Sequence, residues 1–344
     1  MEHAVKPPNS NAIEITVVVP VRDEEESIRI LLDGLLSQTL LPNEIVITDN
    51  GSIDATADIV EEIINSGAPI KLIREKEGLP GRGRNVGVAH ARCDWIAFID
   101  AGNKPAPDWL EALARRAGKY SAVDVVYGTY EPVVDSFFKE CAAIAYVPPS
   151  FASDDGLVRP RSIVSALMRR KVWETVGGFP EDLRSAEDLV FMRKVEQAKF
   201  NIARTSEAIV YWNIQPSLWR TFRRFVEYSR NNIRAGLFAE WQGRIFIYYA
   251  LIAASTVNHL AIGPRALFGP PILWFLLMIA RATMALYRNR RSYPASHARN
   301  LVRLCLLVPI IATLDAAAFI GSINWLLGDK LRQKGSRGQD ESRG

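Results

Sequence analysis

The chain has 344 residues, 48% of them hydrophobic and 23% charged, enough for one large domain or for a domain with an appendage. The formal net charge is only +4, but Met1 to Leu218 carries 24 basic against 32 acidic residues and Trp219 to Gly344 carries 18 against 6. Positive charge mixed with long apolar runs argues against nucleic acid as a partner and for a membrane surface. Cys93, Cys141 and Cys305 lack metal-type spacing, so neither a disulfide framework nor a zinc site is indicated.

Residues 1–12 read as a flexible tail without the apolar core of a secretory signal, and the front half is expected to stay cytoplasmic. Ile15 to Val19 is a β-branched run stopped by Pro20, and Glu24 to Gln38 has helical apolar spacing through Ile28, Leu31, Leu32 and Leu35. Glu44 to Thr48 is a second strand. Asn50 or Ser52 is placed to cap the helix that follows to about Ile64. Ile70 to Ile73 forms a third strand. Gly81 to Asn103, GRGRNVGVAHARCDWIAFIDAGN, reads as loop, helix and a fourth strand, Trp95 to Ile99, that delivers Asp100. After a helix around Trp109 to Gly118, Val123 to Tyr127 makes a fifth. This alternation implies an α/β fold with a largely parallel, doubly wound sheet.

Pro148 to Pro160 breaks the pattern and reads as a loop over the site. Ser165 to Met168 and Glu207 to Trp212 read as strands, and Lys171 to Val176 and Ala186 to Ala198 as helical. Residues 217–244 interleave Trp219, Phe222, Phe225 and Trp241 with Arg220, Arg223, Arg224 and Arg230, the composition of an interfacial amphipathic helix. Residues 245–328 form an expected membrane region. Ile245 to Ile262 and Ala266 to Leu286 are long enough to cross as a hairpin joined by Gly263 to Arg265, with Arg281 snorkelling. The run 301–327 holds Asp315, whose insertion costs about 3 kcal/mol, and is flanked by arginines and lysines, so an interfacial or re-entrant placement competes with a third span. Residues 329–344 read as a basic cytoplasmic tail.

Polar groups recur at strand ends: Arg22 and Glu24 after the first, Asp49 and Asn50 after the second, Asp100 after the fourth. Each alone is ordinarily a cap or turn residue, but in an open α/β sheet the carboxyl edge of the strands is where ligands bind. Gly81, Gly83 and Gly87 have the wrong spacing for a dinucleotide loop. Ser185 to Asp188 fits a capping box, S-x-x-D.

The segments VVVPVRDEEESI, EIVITDNGSIDAT, GRGRNVGVAHARCDWIAFIDAGNKPAPDWL and RRKVWETVGGFPEDLRSAEDLVFMRKV resemble the ordered signatures of family-two inverting glycosyltransferases of the GT-A fold, over roughly Ile15 to Trp212. The resemblance implies a catalytic domain over 13–216 that transfers a sugar from a nucleotide-diphosphate donor to a lipid-linked or saccharide acceptor at the cytoplasmic membrane face. It implies that Pro20, Arg22 and Glu24 hold the nucleotide, that Asp49 and Asn50 read base and ribose, and that Arg84 approaches the phosphates. Asp188, beside Glu187, would be the base. Arg223 and Arg224 are further candidates for phosphate or acceptor contacts. Asp100, Ala101 and Gly102 stand at the usual D-x-D metal motif, where Gly102 replaces a carboxylate; Asp100 would then bind Mg²⁺ or Mn²⁺ with donor phosphates and water, or arginines would take over the charge. Two other classes compete: a non-catalytic nucleotide-sugar-binding scaffold, suggested by Asn50 and Gly102, and a dinucleotide-dependent oxidoreductase.

Overall fold

The computed structural model describes residues 13–119, 122–262 and 270–330. The expected tail at 1–12, the Gly263 to Arg265 linker and residues 331–344 of the basic tail lie outside them. In chain order the elements are β1 (Ile15–Val21), α1 (Ile28–Leu36), β2 (Glu44–Asp49), α2 (Thr56–Asn65), β3 (Ile70–Arg74), α3 (Pro80–His90), β4 (Trp95–Phe98), β5 (Asn103–Pro105), α4 (Trp109–Lys119), β6 (Val125–Pro132), α5 (Phe137–Tyr146), β7 (Phe151–Ser153), β8 (Gly156–Val158), β9 (Ala166–Arg169), α6 (Arg170–Val176), α7 (Glu187–Gln197), β10 (Ile202–Trp212), α8 (Leu218–Arg234), α9 (Phe238–Trp241), α10 (Gly243–Ile262), α11 (Pro270–Arg288) and α12 (His297–Asn324). They fall into two compact units. The first is Met1–Glu131, Phe151–Asp182 and Glu187–Trp212; the second is Pro132–Ser150, Leu183–Ala186 and Asn213–Gly344.

In the first unit, among the described residues, one sheet runs β3-β2-β1-β4-β9-β6-β10-β5. The strands β1 to β4 are parallel, as the sequence predicts, with Val17 opposite Ile45 and Ala97. Beyond them β9 runs antiparallel to both β4 and β6. Alternation along β1 sends Ile15, Val17, Val19 and Val21 to a core under α1, α2 and α4, and Val18 to one under α3, α6 and α7, so helices cover both faces.

Several boundaries differ from the sequence reading. Pro20 does not stop β1, because its missing N–H faces the side on which pairing with β4 has already ended at Val18. The helix after β1 begins at Ile28 rather than Glu24. The amides of Asp23, Glu24 and Glu25 instead donate to Ser52 Oγ, Thr56 Oγ1 and Asp54 Oδ2, tying the first two strand-end loops together. Neither Asn50 nor Ser52 therefore caps α2; Asp54 Oδ1 accepts from Thr56 N–H at 3.0 Å. The 148–160 stretch is not a plain loop, since β7 and β8 pair within it as a hairpin.

The second unit is helical. Its α12 packs against α8, α11 and α5, the last of which the sequence reading did not anticipate. A Cβ at Gly321 would lie 2.6 Å from Val226 O and from Ser229 Cβ, so only glycine lets α12 lie this close to α8. The arginine-rich helix is thus a packing partner of α12 that buries Thr221, Ser229, Asn231 and Asn232, rather than a helix lying alone. Charges read as membrane flanks or liabilities are paired: Arg299 on Glu140, which Arg303 also meets, and Arg281 on Asp315. By length and composition, α11 and the run His297–Asp329 could cross a membrane, a test that a soluble core helix can also pass. The first arm of the expected hairpin, Ile245 to Ile262, lies within the helix α10.

Candidate functional site

The carboxyl ends of β1, β2 and β4 bring Arg22, Asp49, Asn50 and Asp100 to one edge of the first unit's sheet. The helix α3 crosses beneath that edge, and its glycines let it. A Cβ at Gly81 would sit 2.0 Å from Pro180 O, one at Gly83 would sit 2.4 Å from Asn50 Nδ2 and 2.9 Å from Pro20 Cβ, and one at Gly87 would sit 2.5 Å from Val18 Cγ1. Close approach, not a dinucleotide turn, accounts for the spacing of these glycines. Gly83→Ala should cost about 1–3 kcal/mol, as overpacking does, and weaken nucleotide-sugar binding; melting and equilibrium dialysis measure the two effects.

Close packing carries Arg84 into the centre of the site. The side chain is 3% exposed, with Nη2 on Asp100 Oδ1 and Nη1 on Glu187 Oε1, both at 2.6 Å. Arg84 therefore joins the acid after β4 to the acids that begin α7. With both carboxylates engaged, its buried Nε is left without a partner among the described residues. Its guanidinium also lies 5.5 Å from the Phe179 ring, which stacks on Phe191 of α7.

Asp188 is partly buried in the same cluster, and its Oδ1 accepts from Leu189 N–H at 2.8 Å. Burial, then the negative charge of Glu187, pushes its pKa up to about 7, against the opposing pull of Arg84. A carboxylate so tuned is suited to accept a proton near neutral pH. The capping-box reading does not hold. Ser185 Oγ has no hydrogen-bond partner among the described residues, and Ala186 takes φ 71°, outside the geometry of an extended cap residue.

The remaining candidates are placed less directly. Asp49 is buried and its Oδ1 accepts from Ser52 N–H at 2.9 Å. Asn50 is 2% exposed, its amide wedged against Gly78 and Gly83 with Oδ1 lacking a partner among the described residues. Pro20 packs against Gly83, Arg22 lies 4.0 Å from Glu77 at the surface, and the Glu24 carboxylate accepts from Ser27 Oγ. Arg223 and Arg224 are exposed on α8 of the second unit, Arg224 bonded to Tyr228 Oη.

One residue of the site escaped the sequence reading. Asn85 Oδ1 accepts from Phe179 N–H and Trp173 Nε1–H, and its Nδ2 donates to Phe179 O, all at 2.9 Å. It pins the turn at Gly177 and Gly178, whose φ values of 76° and 70° demand glycine, and so fixes the approach to α7. Only its place beside Arg84 marked it.

Among the described residues no group of three or more His, Cys, Asp or Glu is arranged to hold a metal ion. A Cβ at Gly102 would meet nothing within 4 Å, so that position faces open space next to Asp100, whose side chain is 37% exposed. One reachable carboxylate beside open space fits a cation shared with substrate phosphates and water, the way Mg²⁺ is commonly held. It does not fit a cage built by the protein alone.

Residues 16–177 match the family model described as Glycosyl transferase family 2. The chain is 27% identical over 205 residues to the uncharacterized glycosyltransferase EpsJ of Bacillus subtilis (strain 168), covering 54% of this chain and 58% of that one. It is 40% identical over 105 residues to the putative glycosyltransferase EpsH of the same organism, covering 30% of each. The chain thus spans less than two thirds of either relative. Its fold resembles that of the mannosyltransferase PcManGT from Pyrobaculum calidifontis, solved in complex with GDP-Man and Mn²⁺, with a TM-score of 0.52, 18% identity, and 92% and 88% of the two chains covered.

Proposed function

We propose that this chain, whose residues 16–177 match the model described as Glycosyl transferase family 2, transfers a sugar from a nucleoside-diphosphate donor to a hydroxyl of a lipid-linked or saccharide acceptor, with inversion at the anomeric carbon. The observation that carries this reading is the Arg84 bridge, which holds Asp100 and Glu187 on one guanidinium and so sets the donor-side acid beside the Glu187–Asp188 pair. In this reading Asp188 takes the acceptor hydroxyl's proton as the new bond forms. Inversion by single displacement needs one base and no enzyme nucleophile. The strand-end residues Pro20, Arg22, Glu24 and Asp49 line the edge assigned to the nucleotide. Asn50, wedged beneath α3, shapes that edge from below.

Asp100 would hold a Mg²⁺ or Mn²⁺ ion together with the donor's phosphates. Such an ion supplies charge neutralisation for the departing diphosphate. With a single protein carboxylate available, cation binding should be weak without donor. Chelation should therefore suppress transfer, and added Mn²⁺ should restore it; donor-dependent Mn²⁺ binding followed by electron paramagnetic resonance measures the coupling. Full transfer in excess chelator would shift the charge-neutralising role to arginines.

The apolar α11 and α12 support membrane association; in this reading the catalytic domain lies at the cytoplasmic face. A panel of nucleotide sugars incubated with membranes containing the full chain, scored by release of nucleoside diphosphate, tests the activity. Nucleotide binding with neither transfer nor donor hydrolysis would instead support a non-catalytic scaffold.

A further inference from the structure

Beyond Asp100, on the side away from the nucleotide edge, the first unit gathers four side chains that the transfer chemistry above does not use. Both β4 and β6 run antiparallel to β9, so their carboxyl ends point to the same edge of the sheet. Phe98 and Tyr127 both pair with Ala166, which sets Thr129 level with Asp100 and leaves Tyr130 and Glu131 just past it. Two strand spacings, about 10 Å, separate β6 from β4. Arg159 is fixed there by its backbone N–H on Thr129 Oγ1 at 3.1 Å, and its Nη2 donates to Glu131 Oε2 at 2.7 Å. The arginine side chain is only 2% exposed, yet the carboxylate it holds stays open to solvent, the Glu131 side chain being 43% exposed. The same guanidinium lies 6.0 Å from the Tyr130 ring, which meets Trp212 at the end of β10 edge to face, with centroids 6.2 Å apart. Both rings are half-buried.

A buried arginine that orients an accessible carboxylate beside two aromatic rings suits one class of ligand. The carboxylate accepts hydrogen bonds from neutral hydroxyls and, being charged, makes them stronger than neutral pairs. The rings offer large, rigid apolar area to the C–H face of a polyhydroxylated ring. A phosphate would meet like charge at Glu131. The nucleotide edge at β1 and β2 lies on the far side of β4, so a group held at β6 and β10 approaches the transfer centre from the opposite direction. We propose that Tyr130, Glu131, Arg159 and Trp212 form a subsite for the terminal sugar ring of the acceptor, with Glu131 accepting from its hydroxyls and Arg159 as a positioning residue. Under the transfer reaction proposed above, on which this assignment rests, the acceptor therefore presents a neutral saccharide here, with or without a lipid carrier.

The test uses the full chain in a detergent without a sugar head group. Saturation-transfer NMR without donor, on methyl glycosides of the common neutral hexoses, reads binding apart from turnover. At least one glycoside should give a saturable signal. Glu131→Gln and Trp212→Leu should each weaken that binding about tenfold, whereas Tyr130→Phe, which keeps the ring, should bind like the parent. Nucleoside-diphosphate binding, followed by calorimetry, should be the same in all of them; if Trp212→Leu loses it through misfolding, the near-isosteric Glu131→Gln alone decides. In transfer assays Glu131→Gln should raise KM about tenfold for the saccharide acceptor and leave kcat and the donor KM unchanged. Glycoside binding in a parent that transfers no sugar would remove the reaction and leave a sugar-binding site. No glycoside binding in the parent, or parental binding in Glu131→Gln, overturns the subsite, and a rise in donor rather than acceptor KM overturns its assignment to the acceptor.

Discussion

Asp188→Asn should fold, bind the donor nucleotide like the parent, and transfer sugar at least about a hundredfold more slowly, since loss of a general base typically costs 10²- to 10⁴-fold. That is about 3 to 5 kcal/mol of barrier. The amide keeps the size and the acceptor that Leu189 N–H uses, but cannot take a proton at neutral pH. The pH dependence follows from the same carboxylate. It works deprotonated, so the parent rate should fall as pH drops through about 7, and the residual rate of the Asn variant should lack that step. Stability should move the other way. A folded-state pKa raised above the unfolded carboxylate value means that the folded protein binds the proton more tightly, so this group's contribution falls as pH rises from the unfolded value to about 7. The neutral Asn is exempt, and above pH 7 the variant should melt no lower than the parent. Near-parental turnover in the variant would move the base to Glu187 or to the Asp154–Asp155 turn.

The parallel half of the sheet was legible because β1, β2 and β4 are short, apolar and buried on both faces, and because polar residues stand at or just after the end of each. The assignment of Asp188 came from motif resemblance, not from periodicity, and the competing cap could be dismissed only once Ala186 was seen in left-handed backbone. Asn85 and the roles of Gly83 and Gly178 were hidden for a different reason. Their work is tertiary: each meets a partner tens of residues away, so no local pattern announces it. The same holds for the helical unit, where Arg281 and Asp315 read singly as misplaced charges because the sequence shows them 34 positions apart.

Their pairing makes the other large prediction. Asp315 is fully buried on α12, and Arg281 on α11 meets it through two hydrogen bonds, Nη1–Oδ2 at 2.5 Å and Nη2–Oδ1 at 2.8 Å. Tyr248 of α10 lies 5.3 Å from the same guanidinium, and Trp274 Nε1 donates to Tyr249 Oη at 3.2 Å, so polar side chains from three helices gather here. Two charges taken out of water stabilise little as a pair, yet removing one strands the other, at about 3–5 kcal/mol. Asp315→Leu alone should therefore lower the melting temperature of the detergent-solubilised chain sharply and promote aggregation, and Arg281→Leu should do so less, since its side chain is 21% exposed. The double variant Arg281→Leu/Asp315→Leu should regain most of the loss, because two leucines fill the space without a charge to solvate. Exchanging the residues, Arg281→Asp with Asp315→Arg, should recover less, since the longer side chain would then start from the buried helix. If the single losses simply add in the double variant, the two residues are not coupled, and the charges are tolerated separately through water or lipid headgroups.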